Sequence, residues 1–158
     1  MLEPDREPRL VDLKEIHVVG MPRAYVVGAP NDIPQLWAEF WPRHEEVVGA
    51  LPDTAYGVCI PLPREGATKR FEYVAAVEVR APGAVPPGMV ARTIAAGRFI
   101  VFTHVGPAAE IMETVRSVWE RWLPRTGHTP AGTADFELYD ERFDPVKGGE
   151  MDIYIPVK

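Results

Sequence analysis

Apolar positions along this chain keep two rhythms, a strand-like one and a helical one, and the pair of rhythms occurs twice. Ile16–Val19 and Ala24–Val27 read as strand, interrupted at Gly20-Met21-Pro22 by a bulge or bend, because proline cannot donate to a ladder. Asn31-Asp32 is a helix-capping pair with Pro34 in the first turn. Ile33, Leu36, Trp37, Phe40 and Trp41 then share one broad helical face, until Pro42 removes the hydrogen bond to the Ala38 carbonyl and forces a kink or restart. Tyr56–Ile60 is a short strand, Pro61–Gly66 a loop, and Phe71–Val79 a strand with Tyr73, Ala75 and Val77 on one face and Glu72, Val74, Ala76 and Glu78 on the other. A Pro/Gly connector fills 81–88.

Past the connector the order resumes. Met89–Ala95 and Arg98–Thr103 are strand-like, separated at Ala96-Gly97. Pro107 opens a helix whose face carries Ile111, Val115, Val118, Trp119 and Trp122, and which Pro124 stops. Thr133–Asp140 is a strand, and Asp152–Val157 a last one in which Pro156 marks an edge or an end. Residues 1–10 read as a polar tail. Each half, about 11–80 and 89–158, therefore runs strand, aromatic helix, strand, strand, with Trp37 and Trp119 at corresponding turns. Such a duplicated β-α-β-β unit predicts one α+β domain over 1–158, its two copies sharing a sheet with both helices on one face. The crease between the halves is the place for a small-molecule pocket.

Composition narrows the classes. The 158 residues are 46% hydrophobic and 25% charged, ordinary for a globular domain, and the net charge of −6 leaves no basic patch for direct nucleic-acid binding. One cysteine, Cys59, excludes an intramolecular disulfide and a cysteine zinc site, and reads as a small buried apolar residue. With no apolar run of about 20 residues and no signal-peptide pattern, the expected location is the cytoplasm, away from the membrane. The histidines, His17, His44, His104 and His128, are scattered without ligand spacing, and no metal, P-loop or dinucleotide motif occurs, so neither metal nor cofactor is expected.

The chemistry worth weighing lies in the strand around Glu137. Period two puts Glu137 and Tyr139 on one face and Phe136 and Leu138 on the other. Glu137 is then either a routine edge-strand acid or the polar anchor of an aromatic pocket, since a buried carboxylate neutralises or finds a cation. Glu78 is a second acid, placed on the other face or near the rim.

An ordered set of motifs, Ile33-Pro-x-Leu-Trp37, Tyr56-Gly-Val58, Phe71-Glu-Tyr73, Phe102-x-His-x-Gly-Pro107, Trp119-x-x-Trp-Leu-Pro124, Phe136-Glu-x-Tyr-Asp140 and Tyr154-Ile-Pro-Val157, resembles the GyrI-like domain, also called the AraC-type effector-binding domain, over roughly residues 11–158. The resemblance implies an antiparallel curved sheet flanked by two helices, with a ligand groove at the pseudo-twofold. It also implies that the acid of the Phe-Glu-x-Tyr strand, here Glu137, anchors cationic aromatic ligands. Family members often carry an N-terminal DNA-binding domain; this sequence resembles the stand-alone form. Candidate ligand-binding residues are Glu137, Tyr139, Tyr73, Trp37, Trp41, Trp119, Phe102 and Tyr56, the aromatics acting by stacking and cation–π contact. Two rivals stand beside a binder of small cations. One is a hydrolase using Glu137 as acid or base with Tyr139 or Tyr73 as proton donor; the other is an acidic protein-interaction module with an unknown partner.

Overall fold

The computed structural model describes residues 7–81 and 83–158. Among them nine strands form one sheet: β1 (Arg9–Leu13), β2 (Ile16–Val26), β3 (Ala55–Glu65), β4 (Thr68–Val79), β5 (Val90–Ile94), β6 (Gly97–Gly106), β7 (Asp135–Tyr139), β8 (Phe143–Asp144) and β9 (Gly148–Pro156). Helix α1 (Ile33–Phe40) continues into a 3-10 turn, Trp41–Glu46. Helix α2 (Ile111–Ser117) continues through a π turn, Val118–Trp122, into α3 (Leu123–Thr126). Every pairing is antiparallel, in the order β1-β6-β9-β7-β3-β4-β2-β5 with β8 against β9.

That order is symmetric about the β7/β3 pair, so the pseudo-twofold runs through the register Gly57↔Glu137. The halves also exchange their leading strands: β1 joins β6 of the second half, and β5 joins β2 of the first. Only Lys14 and Glu15 connect β1 to β2, which lie six places apart in the sheet. Three residue steps reach about 11 Å, whereas six strand spacings of a flat sheet cover about 28 Å. The same holds for Ala95-Ala96 between β5 and β6. The sheet must therefore roll until its ends approach. A cluster drawn from both ends and the middle, including Val18, Tyr56, Val74, Ile94, Phe99 and Phe136, fills the inside of the roll. Rings stack there, Phe136 on Tyr154 at 4.5 Å between centroids.

Both helices cover the outer face. Ile33, Leu36 and Phe40 pack on Val19, Tyr73, Ala75 and Val77; Ile111 and Val118 pack on Ile100, Phe102, Met151 and Ile153. Asp32 is the N-cap of α1 but its side chain turns to Tyr25 and Arg23, and Asn31 just before it accepts from the Ile33 amide at 3.1 Å. The buried spacings Ile33-Leu36-Phe40 and Ile111-Thr114-Val118 match, which aligns Trp119 with Trp41; the expected equivalence of Trp119 with Trp37 is off by one turn.

Prolines account for most of the remaining differences from the sequence reading. Gly20-Met21-Pro22 makes no bulge: β2 pairs with β4 without a register break, and Pro22 is accommodated because β5 stops at Gly20, leaving that edge open. Pro61 and Pro63, read as loop, lie in β3, which no longer pairs with β7 beyond Cys59. Pro124 does not stop the second helix. The Leu123 amide bonds back to the Val118 carbonyl, a wider turn that takes in the proline ring, and the helix ends at Gly127 with φ +78°. Pro156 ends β9, an interior strand and not an edge. Within the expected tail, Arg9 and Leu10 belong to β1; residues 1–6 lie outside the described residues.

Candidate functional site

At the pseudo-twofold, β3 and β7 present opposite kinds of side chain to the outer face. Asp135, Glu137 and Tyr139 point there from β7, against Cys59, Gly57 and Ala55 of β3. Gly57 makes room for its partner. A Cβ at that position would lie 2.1 Å from the Tyr73 hydroxyl oxygen and 2.5 Å from Glu137 Oε1, so only glycine allows the two to meet. The residue order alone assigns Gly57 no role. Glycine in the middle of an apolar strand was the available signal.

Glu137 is only 7% exposed, and a line of hydrogen bonds holds it. Trp37 Nε1 donates to the Tyr73 hydroxyl (2.9 Å), Tyr73 donates to Glu137 Oε1 (2.7 Å), and Tyr139 donates to the same oxygen (3.1 Å). Trp37 also meets the Tyr139 ring edge-on at 5.6 Å. Oε2 accepts nothing among the described residues. Since no fully buried side-chain oxygen or nitrogen there lacks a partner, Oε2 opens onto the adjoining cavity.

Burial raises the Glu137 carboxyl pKa, and the Tyr73 and Tyr139 bonds offset part of that rise. Both phenols are pushed well up, first by burial and then by the facing carboxylate, so they keep their protons and act as donors. Burial, with repulsion from Glu137 second, brings Asp135 up to about 7. Cys59 is raised by burial and then by the two acids, which leaves it a thiol and no nucleophile.

Above these residues lies a cavity of about 1170 Å³. Ala55, Val77, Glu137 and Tyr139 contribute from the sheet. Helix α1 and its 3-10 turn wall it with Ile33, Trp37 and Trp41, the start of α2 with Ile111 and Met112, and the turn after β7 with Phe143. Its lining carboxylates are Glu45, Asp53, Glu137, Asp140 and Glu141, and among the described residues neither lysine nor arginine lines it. Among the described residues no cluster of His, Cys, Asp or Glu is arranged for a metal, and no helix is long and apolar enough to cross a membrane.

Of the eight residues expected from sequence, Glu137, Tyr139, Trp37 and Trp41 line this cavity, and Tyr73 stands behind Glu137 at 1% exposure. The other three lie elsewhere. Tyr56 sits on the inner face, where its hydroxyl donates to Glu78 at 2.8 Å, because residue 56 alternates with Gly57. Phe102 is core beneath the second helix, and Trp119 is exposed on that helix outside the cavity. Only one helix therefore supplies tryptophans to the cavity.

A family model, the GyrI-like small molecule binding domain, matches residues 6–158. The transcriptional regulator BrlR of Pseudomonas aeruginosa is 39% identical over 155 residues, 94% of this chain but 54% of that protein, so the chain spans about half the length of this curated relative. An integron cassette protein from the mobile metagenome of Vibrio cholerae superposes with TM-score 0.72 at 18% identity, covering 96% of this chain and 95% of its own. SAV2435, solved bound to tetraphenylphosphonium, superposes with TM-score 0.70 at 21% identity over 97% of this chain and 94% of its own.

Proposed function

This chain belongs to the GyrI-like small-molecule-binding domain family, and we propose that its ligands are lipophilic aromatic cations, taken up in multidrug fashion for sensing or sequestration, with Glu137 as the counter-charge. One observation carries the reading: a carboxylate that is more than nine-tenths buried keeps an oxygen open to a cavity with aromatic walls and, among the described residues, no lysine or arginine. An empty site disfavours ionised Glu137, as its raised pKa records. A cation entering the cavity restores the missing charge, while Trp37, Trp41 and Tyr139 supply ring faces worth about 0.5–2 kcal/mol each in cation–π contact. Flat aromatic walls and a single charge make few demands on shape, which favours breadth of ligand over selectivity. The tetraphenylphosphonium held by SAV2435 is a ligand of this chemical type. Recognition of this kind involves a small molecule and no direct contact with nucleic acid.

Fluorescence titration with a rhodamine and calorimetry with tetraphenylphosphonium test the proposal. Binding is expected in the micromolar range, and Glu137→Gln should weaken it roughly 10- to 100-fold, the value of a charge-assisted contact. Because the folded-state carboxyl pKa is raised, the empty parent loses stability as pH climbs above the ordinary carboxylate value. Glu137→Gln removes that loss, so the empty variant should equal the parent near pH 4 and exceed it near pH 8. Cation affinity of the parent should move the other way, growing as Glu137 ionises. Unchanged dye affinity in Glu137→Gln would refute the role given to the carboxylate. A raised carboxyl flanked by two phenol donors also suits acid–base hydrolysis; product turnover abolished by the same substitution would establish that second reading.

A further inference from the structure

Three more carboxylates reach the cavity from three separate segments: Glu45 from the 3-10 turn after α1, Asp53 from the loop before β3, and Glu141 from the turn after β7. All three are exposed, and none makes a hydrogen bond or ion pair within the described residues. Five surface acids away from the cavity, Asp12, Asp32, Glu39, Glu46 and Glu65, each hold an arginine, whereas exposed Glu113 and Glu120 on the second helix are unpaired as well; what sets Glu45, Asp53 and Glu141 apart is that they line the cavity of Glu137. We infer that the cavity mouth receives a second positive centre, so that its preferred ligands are elongated dications with one head on Glu137 and the other among Glu45, Asp53 and Glu141. The inference rests on the ligand reading above and adds the number of charges and the length.

Two features of the cavity support it independently of the rim acids. The first is the open Oε2 of buried Glu137, which fixes where one charge goes. The second is size: about 1170 Å³ exceeds the roughly 300–1,000 Å³ of ordinary small-molecule pockets, leaving space beyond a compact aromatic cation. A flat surface for the second head is also present. Trp41, 47% exposed, lies parallel to the His44 imidazole at 4.0 Å between ring centroids, and both line the cavity. Rim charges in water act weakly one at a time, since screening confines them to about 8–10 Å, but a second head tethered to one already bound meets them at a raised effective concentration.

The test compares a bis-quinolinium, two heads joined by a decamethylene chain, with the mono-quinolinium bearing the same decyl chain, by calorimetry at fixed ionic strength. The parent should bind the dication about tenfold more tightly, well beyond the roughly twofold that two identical heads give statistically. In the triple variant Glu45→Gln/Asp53→Asn/Glu141→Gln that advantage should fall to about twofold, with monocation affinity unchanged. Retained monocation binding doubles as evidence that the variant is folded. Equal affinity of the parent for both compounds, or a triple variant that weakens both alike, overturns the inference and leaves the Glu137 reading standing. Failure of the parent to bind either cation overturns both.

Discussion

Strands β3 and β7 are the same strand used twice, and they differ on one face only. Aligned through the pseudo-twofold, Ala55-Tyr56-Gly57-Val58-Cys59 matches Asp135-Phe136-Glu137-Leu138-Tyr139. On the inner face the pairs are alike, Tyr56 with Phe136 and Val58 with Leu138, because both copies fill one apolar roll. On the outer face small residues stand in one copy and large polar ones in the other. Antiparallel pairing sets each small residue directly opposite a polar one. Two carboxylates at the axis would repel each other in a dry site, so a strictly repeated sequence could not build this pocket. The duplicated fold supplies the crease, and the asymmetry within it lets a single carboxylate stand at the axis.

Putting a side chain back on the cleared strand is the severest way to break this arrangement. Gly57→Ala drives a methyl into the Tyr73 hydroxyl and Glu137 Oε1. Overpacking of this kind costs about 1–3 kcal/mol, and the Tyr73–Glu137 bond at risk adds to it. Cation binding should be lost, and chemical denaturation should show a stability drop at or above the top of that range. Ala55→Gly, one pair away on the same face, should leave binding intact.

The polar strand can be examined from its other acid. Asp135, raised to about 7, binds more protons folded than unfolded between about 4 and 7, so its contribution is present below pH 4 and is lost as pH rises through 7. Asp135→Asn should match the parent near pH 4 and become progressively more stable than it up to pH 8. Thermal melts across that range check the sign; a difference independent of pH would show that Asp135 is not held up by burial and Glu137.

Much of this arrangement could be read from the residue order. Period two along Phe71–Val79 puts Tyr73 and Glu78 on opposite faces, and along Thr133–Asp140 it puts Glu137 and Tyr139 on one. What sequence could not supply was pairing at a distance. Nothing near Tyr56 reveals that Gly57 faces Glu137, 80 positions on, and period two alone does not decide which face of β3 meets the helices. The exchange of β1 and β5 was equally invisible, because a strand carries no mark of its partner. Prolines misled for the same reason: Pro61 and Pro63 break a paired strand but not one whose neighbour has ended, and only the sheet order shows where neighbours end.

A second contrast between the halves concerns how each helix is tied to its strand. In the second half the tie is buried: His104 Nδ1 and Thr114 Oγ1 are 2.7 Å apart, with both residues closed to water. Thr114→Val keeps the shape and deprives His104 of that partner, which should cost about 1–3 kcal/mol, measurable by urea denaturation. In the first half Arg23 does the corresponding work in the open, bridging Asp32 and Glu39, both more exposed than it is. Exposed pairs gain little because water and salt already screen them. Arg23→Ala should therefore change stability less than Thr114→Val, and the change should shrink between low and high salt while the Thr114 effect does not. Equal losses at high salt would mean that the two helices are tied down by the same kind of force, and that burial of His104 adds nothing to its bond.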